Sequence, residues 1–253
     1  MYDFCFLFFL FITFSIVGWI TECISCSFWY HRFVHDRGFL IGPYCPVYGL
    51  GAVFIYYFLS NFDSNVFLLF IMSMVSTSLL EYLTSVWMEK MFKARWWDYS
   101  KEPLNINGRV CLKNSILFGI CGVLFTYYIK PFYLDLVDKI PSNTFIIITW
   151  ILIIIFTIDC IVSFMAMSKL KHNLVNIRHD STSEIDKEVK EILSSYTFYV
   201  KRLFKSFPNV KFSFPTGSLV VDNIRSTLKT TEEIRKERKK KLREIKKEIK
   251  ESE

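Results

Sequence analysis

Charged residues are scarce over the first 167 positions of this 253-residue chain. That stretch carries 10 Lys and Arg against 11 Asp and Glu, whereas residues 168–253 carry 21 against 13. Hydrophobic residues make up 52% of the whole chain and lie mostly in the first stretch. An apolar block joined to a basic tail excludes an ordinary soluble globular domain and an intrinsically disordered chain.

Several chemical motifs are also absent. The sequence has no G-x-x-x-x-G-K-[ST], so this chain cannot hydrolyse ATP through a P-loop of its own. We therefore expect no catalytic activity of its own and no cofactor. The seven cysteines all lie within residues 1–167, and Cys23-x-x-Cys26 has no second pair, which favours small apolar residues at helix contacts over a disulfide scaffold or metal ligands. We expect no metal site.

Long apolar runs dominate what remains. A helix rises 1.5 Å per residue, so roughly 20 apolar residues cross a hydrocarbon core of about 30 Å. Five segments meet this requirement to differing degrees. We predict an all-α, polytopic membrane bundle (residues 1–167) followed by a cytoplasmic basic helical tail (residues 168–253). The predicted spans are residues 2–28, 46–62, 66–88, 110–129 and 145–167, the second of them reaching full length only if residues 42–45 join it.

The distribution of Lys and Arg between the loops predicts the orientation. Basic residues concentrate in residues 29–42 and 89–109, while the turn at residues 60–65 has none. The tail contains 21 of the 31 basic residues. By the positive-inside rule, we expect a multi-pass protein whose N-terminus lies outside and whose tail lies in the cytoplasm.

Three acids lie within the predicted spans, all in the half nearer the cytoplasm: Glu22, Glu81 and Asp159. A carboxylate at the centre of a membrane helix costs about 2.5–3.5 kcal/mol, so each must face a partner or water. One interpretation is a polar cavity lined by the three acids and open to the cytoplasm. The other is structural pairing with Arg37, Arg95 or Arg109.

The first two spans resemble the next two in plan. Glu22 precedes Arg37 by 15 residues, and Glu81 precedes Arg95 by 14. Each arginine is followed by a G-x-x-C motif and a short glycine-rich span, which suggests a duplicated hairpin. Together with the polar residues of the second loop, these groups form the candidate polar cluster. Its members are Glu22, Arg37, Glu81, Arg95, Asp98, Asn107, Arg109, Asn114 and Asp159.

Several sequence blocks in this region are similar to those of a known family. GFLIGPYCPVYGLGA, LEYLTSVWMEK, RWWDYS and INGRVCLKNS occur in order and without gaps. They resemble the signature blocks of the ABC-transporter type IV family of CmpB-like bacterial membrane proteins, over roughly residues 10–130. The resemblance implies an inner-membrane protein for which permease is the customary label. It assigns no substrate and no catalytic residue.

The tail has two amphipathic stretches. Apolar residues recur at helical spacing over residues 183–207, and the highly charged residues 225–253 contain i,i+4 Glu–Lys pairs. We predict a helical hairpin or coiled segment that binds a protein partner. Its basic run could also contact anionic membrane lipid. We expect no binding of nucleic acid, because glutamates dilute the basic field.

The leading functional hypothesis is a permease subunit of an ABC-type transporter. Five spans are few for a transport pathway, so we expect an oligomer or hetero-complex with a separate ATPase subunit. Two alternatives stay open: a membrane-embedded enzyme acting on a lipid-linked substrate, motivated by the polar groups at headgroup depth, and a membrane scaffold or regulator that has no pathway.

Overall fold

The computed structural model describes residues 2–29, 31, 33–35, 37–175, 202–203, 206–207 and 210–213. Within them the chain is helical, with short antiparallel strands outside the helices, and the predicted all-α membrane-bundle class is confirmed. The helices are α1 (Tyr2–Trp29), α2 (Pro46–Phe58), α3 (Val66–Phe92), α4 (Leu112–Leu124), α5 (Lys130–Asp138) and α6 (Ser142–Val175). The strands are β1 (Ala94–Arg95), β2 (Asn105–Ile106), β3 (Val110–Cys111) and β4 (Lys211–Phe212), and β1 pairs with β4 while β2 pairs with β3.

Four apolar stretches are long enough to cross a membrane: α1, α3, the run Leu112–Asp138 and α6. The helix α2 is shorter, at 13 residues, and a 3₁₀ turn over Ser60–Phe62 follows it. Its length is about 20 Å, roughly two-thirds of a hydrocarbon core. The predicted second span covered residues 46–62, whereas the helix itself covers Pro46–Phe58.

The fourth apolar run differs from its predicted end at residue 129. A π-helical turn at Phe125–Ile129 joins α4 to α5, so helical structure continues to Asp138. Pro131 lacks a backbone N–H, and its ring crowds the carbonyl four residues earlier. A wider π turn just before the proline accommodates this defect without ending the helix. Similarly, α6 continues past Met167 to Val175.

Glycines allow the helices to pack closely in pairs, α1 against α2 and α3 against α4. A Cβ atom on Gly49 would lie 2.2 Å from the Phe11 carbonyl oxygen and the Ser15 hydroxyl. In the second pair, a Cβ on Gly122 would lie 2.3 Å from the hydroxyl of Ser73. Small residues at these crossings bring the backbones together, as membrane helices require.

The bundle has two ends with different contents. Residues 37–45 and 93–111 lie at one end, which we call the loop end, and the turns at residues 59–65 and 139–141 lie at the other, the turn end. An apolar core of each end holds the helices together. At the loop end it consists of Met88, Phe92, Ala94, Trp96, Met167, Leu170, Leu203 and Val210. The described tail residues therefore pack at the loop end.

The outer face of α6 is apolar. Isoleucines at positions 151, 154, 158 and 161 recur at three- and four-residue steps and are each more than half exposed. A soluble protein seldom leaves so large an apolar stripe uncovered. Such a face is the surface expected where a helix contacts lipid.

Candidate functional site

Two of the intramembrane acids are placed together at the loop end. The first, Glu22 on α1, accepts a hydrogen bond of 2.7 Å from the Tyr48 hydroxyl and forms an ion pair of 3.1 Å with Arg37. The thiol of Cys26, one helical turn further along, lies 3.9 Å from the same carboxylate. The sequence interpretation that paired Glu22 with Arg37 describes this contact.

The second acid, Glu81 on α3, is 8% exposed and has no cation beside it among the described residues. Its Oε1 accepts a hydrogen bond of 3.2 Å from the Tyr99 hydroxyl. Its Oε2 is buried and has no hydrogen-bond partner in the described part of the chain. Such a buried unpaired oxygen is uncommon in proteins and calls for an explanation.

Tyr99 connects the two acids. Burial raises the pKa of its phenol, and the negative charges of Glu81 and Glu22 raise it further, so both carboxylates lie within electrostatic range of Tyr99. We call Glu22, Tyr48, Glu81 and Tyr99, together with Arg37, the acidic cluster. It contains two carboxylates and one cation, and hence one negative charge in excess when both acids are ionised.

The other polar residues predicted from the second loop form a separate group, centred on Glu89. This glutamate pairs with Arg109 at 2.7 Å and with Arg95 at 3.5 Å. Arg95 also lies 3.7 Å from Asp98 and donates a hydrogen bond of 3.0 Å to the carbonyl of Asn107. Arg95 therefore does not repeat at Glu81 the pairing that Arg37 makes with Glu22, despite the similar spacing in sequence.

Local backbone geometry holds this loop group. Gly108 has φ +65, and a Cβ there would lie 2.6 Å from a carboxylate oxygen of Asp98 and 2.4 Å from the Ser100 hydroxyl. Burial opposes ionisation of Asp98, but hydrogen bonds from Lys211 and Ser100 outweigh it and lower the pKa of the carboxyl to about 2. The indole of Trp97 donates a hydrogen bond of 3.0 Å to the carbonyl of Arg109, which ties the two sides of the loop together.

Asp159 is surrounded by hydrogen-bond donors other than the arginines that the sequence suggested as partners. Its two oxygens accept hydrogen bonds from the backbone N–H groups of Ile41 at 2.9 Å and Gly42 at 2.6 Å. They also accept bonds from the hydroxyls of Tyr44 and, at 2.8 Å, Ser163. Four donors thus surround one carboxylate, which fixes the loop before α2 onto α6. Asp159 therefore acts as a structural anchor in this arrangement.

Two of the nine predicted residues lie at the margin of these groups. Asn107 donates a hydrogen bond of 3.0 Å to the hydroxyl of Tyr82, on the surface of the loop. Asn114 lies half-buried in the first turn of α4, next to Ser115, whose hydroxyl is 2.7 Å from that of Ser78. The nine residues therefore divide among the acidic cluster, the group at Glu89, the anchor at Asp159 and the start of α4.

Three important residues were missing from the predicted set: Tyr48, Tyr99 and Glu89. Glu89 follows Glu81 by two steps of four residues along α3, with Ser85 between them, so helical spacing could have placed it on the same face. The tyrosines carried no such signal, because they looked like ordinary interfacial aromatics. Among the described residues, no group of three His, Cys, Asp or Glu side chains is arranged to hold a metal ion.

Comparison with known proteins places most of the membrane portion in one family. The sequence matches the family described as Putative ABC-transporter type IV over residues 9–164. The match extends beyond the expected residues 10–130 and includes most of the fifth span. No curated protein and no solved structure matches the chain. Because the match covers more than half of the sequence and all the helices that build the acidic cluster, the chain belongs to the ABC-transporter type IV family.

Proposed function

We propose that this chain is the membrane-embedded permease subunit of an ABC-type transporter in a bacterial inner membrane. The observation that carries the proposal is the carboxyl oxygen of Glu81 that is buried within the bundle and has no hydrogen-bond partner among the described residues. A carboxylate there costs about 2.5–3.5 kcal/mol, and one phenol hydroxyl offsets only part of that cost. A group needed only for packing would be apolar, so the site favours a function that uses the charge.

The acidic cluster favours a substrate that carries a positive charge. Glu22 is neutralised by Arg37, whereas Glu81 offers a carboxylate oxygen that no residue of the described chain engages. A cationic group at this position would donate a hydrogen bond to the Glu81 carboxylate. Such a charge-assisted hydrogen bond is stronger than one between two neutral groups. Tyr48 and Tyr99 would border it with polar hydroxyls. We expect the substrate to enter from the loop end.

Energy would come from a separate ATPase subunit, because the sequence contains no P-loop motif. The loop end is the docking surface that this proposal requires, and the positive-inside rule places it in the cytoplasm. The loop over residues 93–111 is braced by the ion pairs at Glu89 and by the Trp97 hydrogen bond. Because these contacts join the loop to α3, a soluble partner that moves the loop would also move α3, which carries Glu81.

Purification and transport assays test this proposal. The native protein, extracted in mild detergent, should carry an ATPase chain with it. Reconstituted vesicles should show ATP-dependent flux, measured across a panel of small organic cations. Glu81→Gln should lower that flux by about tenfold or more, because a charge-assisted hydrogen bond is worth about 1.5–3 kcal/mol.

A matched control removes an acid elsewhere. Asp135 lies at the turn end and is 67% exposed at its side chain, so Asp135→Asn should leave the flux unchanged. Absence of any ATPase from the extracted complex, together with no ATP-dependent flux, would refute the permease proposal.

An enzyme acting on a lipid-linked substrate is less well supported. Its reactive groups would be the acids and arginines of the second loop. In the structure Glu89 is held by Arg109 and Arg95, and Asp98 is held by Lys211, with a low pKa that makes it a poor general base. These groups form ion pairs that stabilise the loop, so they are not available to react with a substrate.

A further inference from the structure

The described part of the tail is attached to the loop end by a buried arginine. Arg202 is 8% exposed, and its guanidinium donates hydrogen bonds to two backbone carbonyls, those of Leu40 at 2.6 Å and Arg37 at 3.1 Å. Beside it, Leu203 is 3% exposed and belongs to the apolar core of the loop end. A buried guanidinium needs such acceptors, so this contact defines one orientation of the segment.

A second attachment lies a few residues further on. In the strand pair β1–β4, Phe212 lies opposite Ala94 and Lys211 opposite Arg95. Lys211 also pairs with Asp98 at 2.5 Å. The described residues between 202 and 213 are thus held at both ends, across the loops that precede α2 and follow α3. We call them the tail clasp.

One side chain joins the tail clasp to the acidic cluster. The guanidinium of Arg37 pairs with Glu22 through Nη2 and donates a hydrogen bond through Nη1 to the carbonyl of Ser206. The same guanidinium lies 5.1 Å from the centre of the Phe207 ring, a cation–π contact. Glu22, Arg37 and the clasp therefore lie in series, with Arg37 between the intramembrane acid and the tail.

We propose that the tail clasp is a gate that closes the acidic cluster at the loop end, with Arg37 as its positioning residue. This inference rests on the proposed function, which makes the acidic cluster the substrate site. While the clasp is docked, Ser206 and Phe207 hold Arg37 against Glu22. When the clasp leaves, Arg37 loses both contacts and can move away from Glu22, which exposes the two carboxylates to the loop end.

The coupling must act in both directions. If clasp docking strengthens the Arg37–Glu22 pair, then the loss of that pair must weaken clasp docking by the same factor. A cation bound at the acidic cluster would compete with Arg37 for Glu22 and so favour release of the clasp. A soluble partner that binds the loop end would instead change the docking of the clasp directly, and so change the Arg37–Glu22 pair.

The native thiol of Cys26 reports on the state of the gate, because it lies 3.9 Å from Glu22. In a full-length variant whose only native cysteine is Cys26, the rate of reaction with a charged maleimide is measured in lipid nanodiscs. Arg202→Ala should raise that rate by about tenfold or more, since two charge-assisted bonds are lost. Lys101→Ala, which removes an exposed cation from the same end, should leave it unchanged.

An engineered disulfide that can be reduced and reoxidised tests the same proposal even if Arg202→Ala fails to fold. Ala94→Cys and Phe212→Cys face each other across the β1–β4 pair and should form a disulfide. In this variant Cys26 should react with the maleimide more slowly when the introduced disulfide is formed than when it is reduced. Equal rates in the two states would overturn the gate.

The reverse direction has its own measurement. Glu22→Gln should lower the rate of disulfide formation between the two introduced cysteines by several fold, because Arg37 is no longer held; an unchanged rate would also overturn the proposal. Neither readout involves ATP, an ATPase or transport. A failed transport assay would therefore leave these results standing, and a failed gate would leave the permease proposal standing.

Discussion

Replacing Asp159 should release the loop before α2 and destabilise the bundle. Asp159→Ala removes the acceptor for the backbone N–H groups of Ile41 and Gly42 and for two hydroxyls. A hydrogen bond to a charged group contributes about 1.5–3 kcal/mol, so the two backbone bonds alone account for about 3–6 kcal/mol. Ile41 is exposed and can turn to solvent, which favours the lower half of that range, about 3–4 kcal/mol.

Smaller substitutions at Asp159 and at its partner Ser163 test the expected loss of unfolding free energy further. Asp159→Asn keeps one acceptor but replaces the other by a donor, so it should cost about 1.5–3 kcal/mol. Ser163→Ala removes one neutral partner of the carboxylate and should cost about 1 kcal/mol. The order Ala, Asn and then the serine change follows from how many hydrogen bonds to the charged carboxylate each substitution removes.

The assay is reversible unfolding in mixed micelles with an increasing fraction of a denaturing detergent, followed by tryptophan fluorescence. The control is Asp135→Ala, because the Asp135–Lys139 pair is mostly exposed and such pairs contribute at most about 1 kcal/mol. The loop itself is followed by thiol labelling of Cys45, which should accelerate in Asp159→Ala. If Asp159→Ala destabilised the protein no more than Asp135→Ala, the anchoring role would be refuted.

Three further outcomes follow from the same structure. Gly49→Ala should destabilise the α1–α2 pair by about 1–3 kcal/mol, whereas Gly51→Ala, whose nearest new contact would be at 3.7 Å, should be close to neutral in the same unfolding assay. Because its pKa is low, Asp98 pairs with Lys211 and stabilises the docked tail above about pH 4, and this effect is lost as the pH falls towards 2. Trp96 packs on Phe207 of the tail, so tryptophan fluorescence during an acid titration should show the loss, and Lys211→Ala should remove that pH dependence. Lys139→Cys should react with an impermeant reagent added outside intact cells, and reaction from the inside only would reverse the proposed orientation.

The sequence was sufficient to predict the helical membrane bundle, because long apolar runs have few other structures available to them. The end of the fourth run was harder to predict. Asp135, Asp138 and Lys139 suggested a loop, yet α5 carries the two aspartates on a helix that extends from the membrane portion. Charge marks where a helix leaves the hydrocarbon, which need not be where the helix ends.

The candidate site was predictable only where side chains pair with side chains. An acid within a membrane span needs a partner, which suggested pairing with an arginine, and the structure contains the pair of Glu22 with Arg37. The four donors of Asp159 include two backbone N–H groups, which a sequence pattern does not distinguish from any others. Strand β4 likewise has no signal of its own, because its two residues are extended only through pairing with β1.

The predicted tail helices mostly lie outside the described residues, as does the predicted coiled segment at residues 225–253. The described residues of the tail are 168–175, which end α6, and 202–203, 206–207 and 210–213. In the amphipathic pattern, Leu203 and Phe207 were members of one apolar face. Both pack at the loop end, against the chain's own core, and this was not part of the expectation of a separate protein partner.

The short helix α2 spans only part of the hydrocarbon depth of a membrane. Its 13 residues span about 20 Å, so about 10 Å of the hydrocarbon depth beside it must be filled by the loop at residues 38–45 and the turn at residues 59–62. The loop at residues 38–45 has no helical hydrogen-bond ladder, so its backbone N–H groups need other acceptors, and Asp159 accepts hydrogen bonds from two of them. Hydrophobic mismatch of this kind thins the adjoining bilayer.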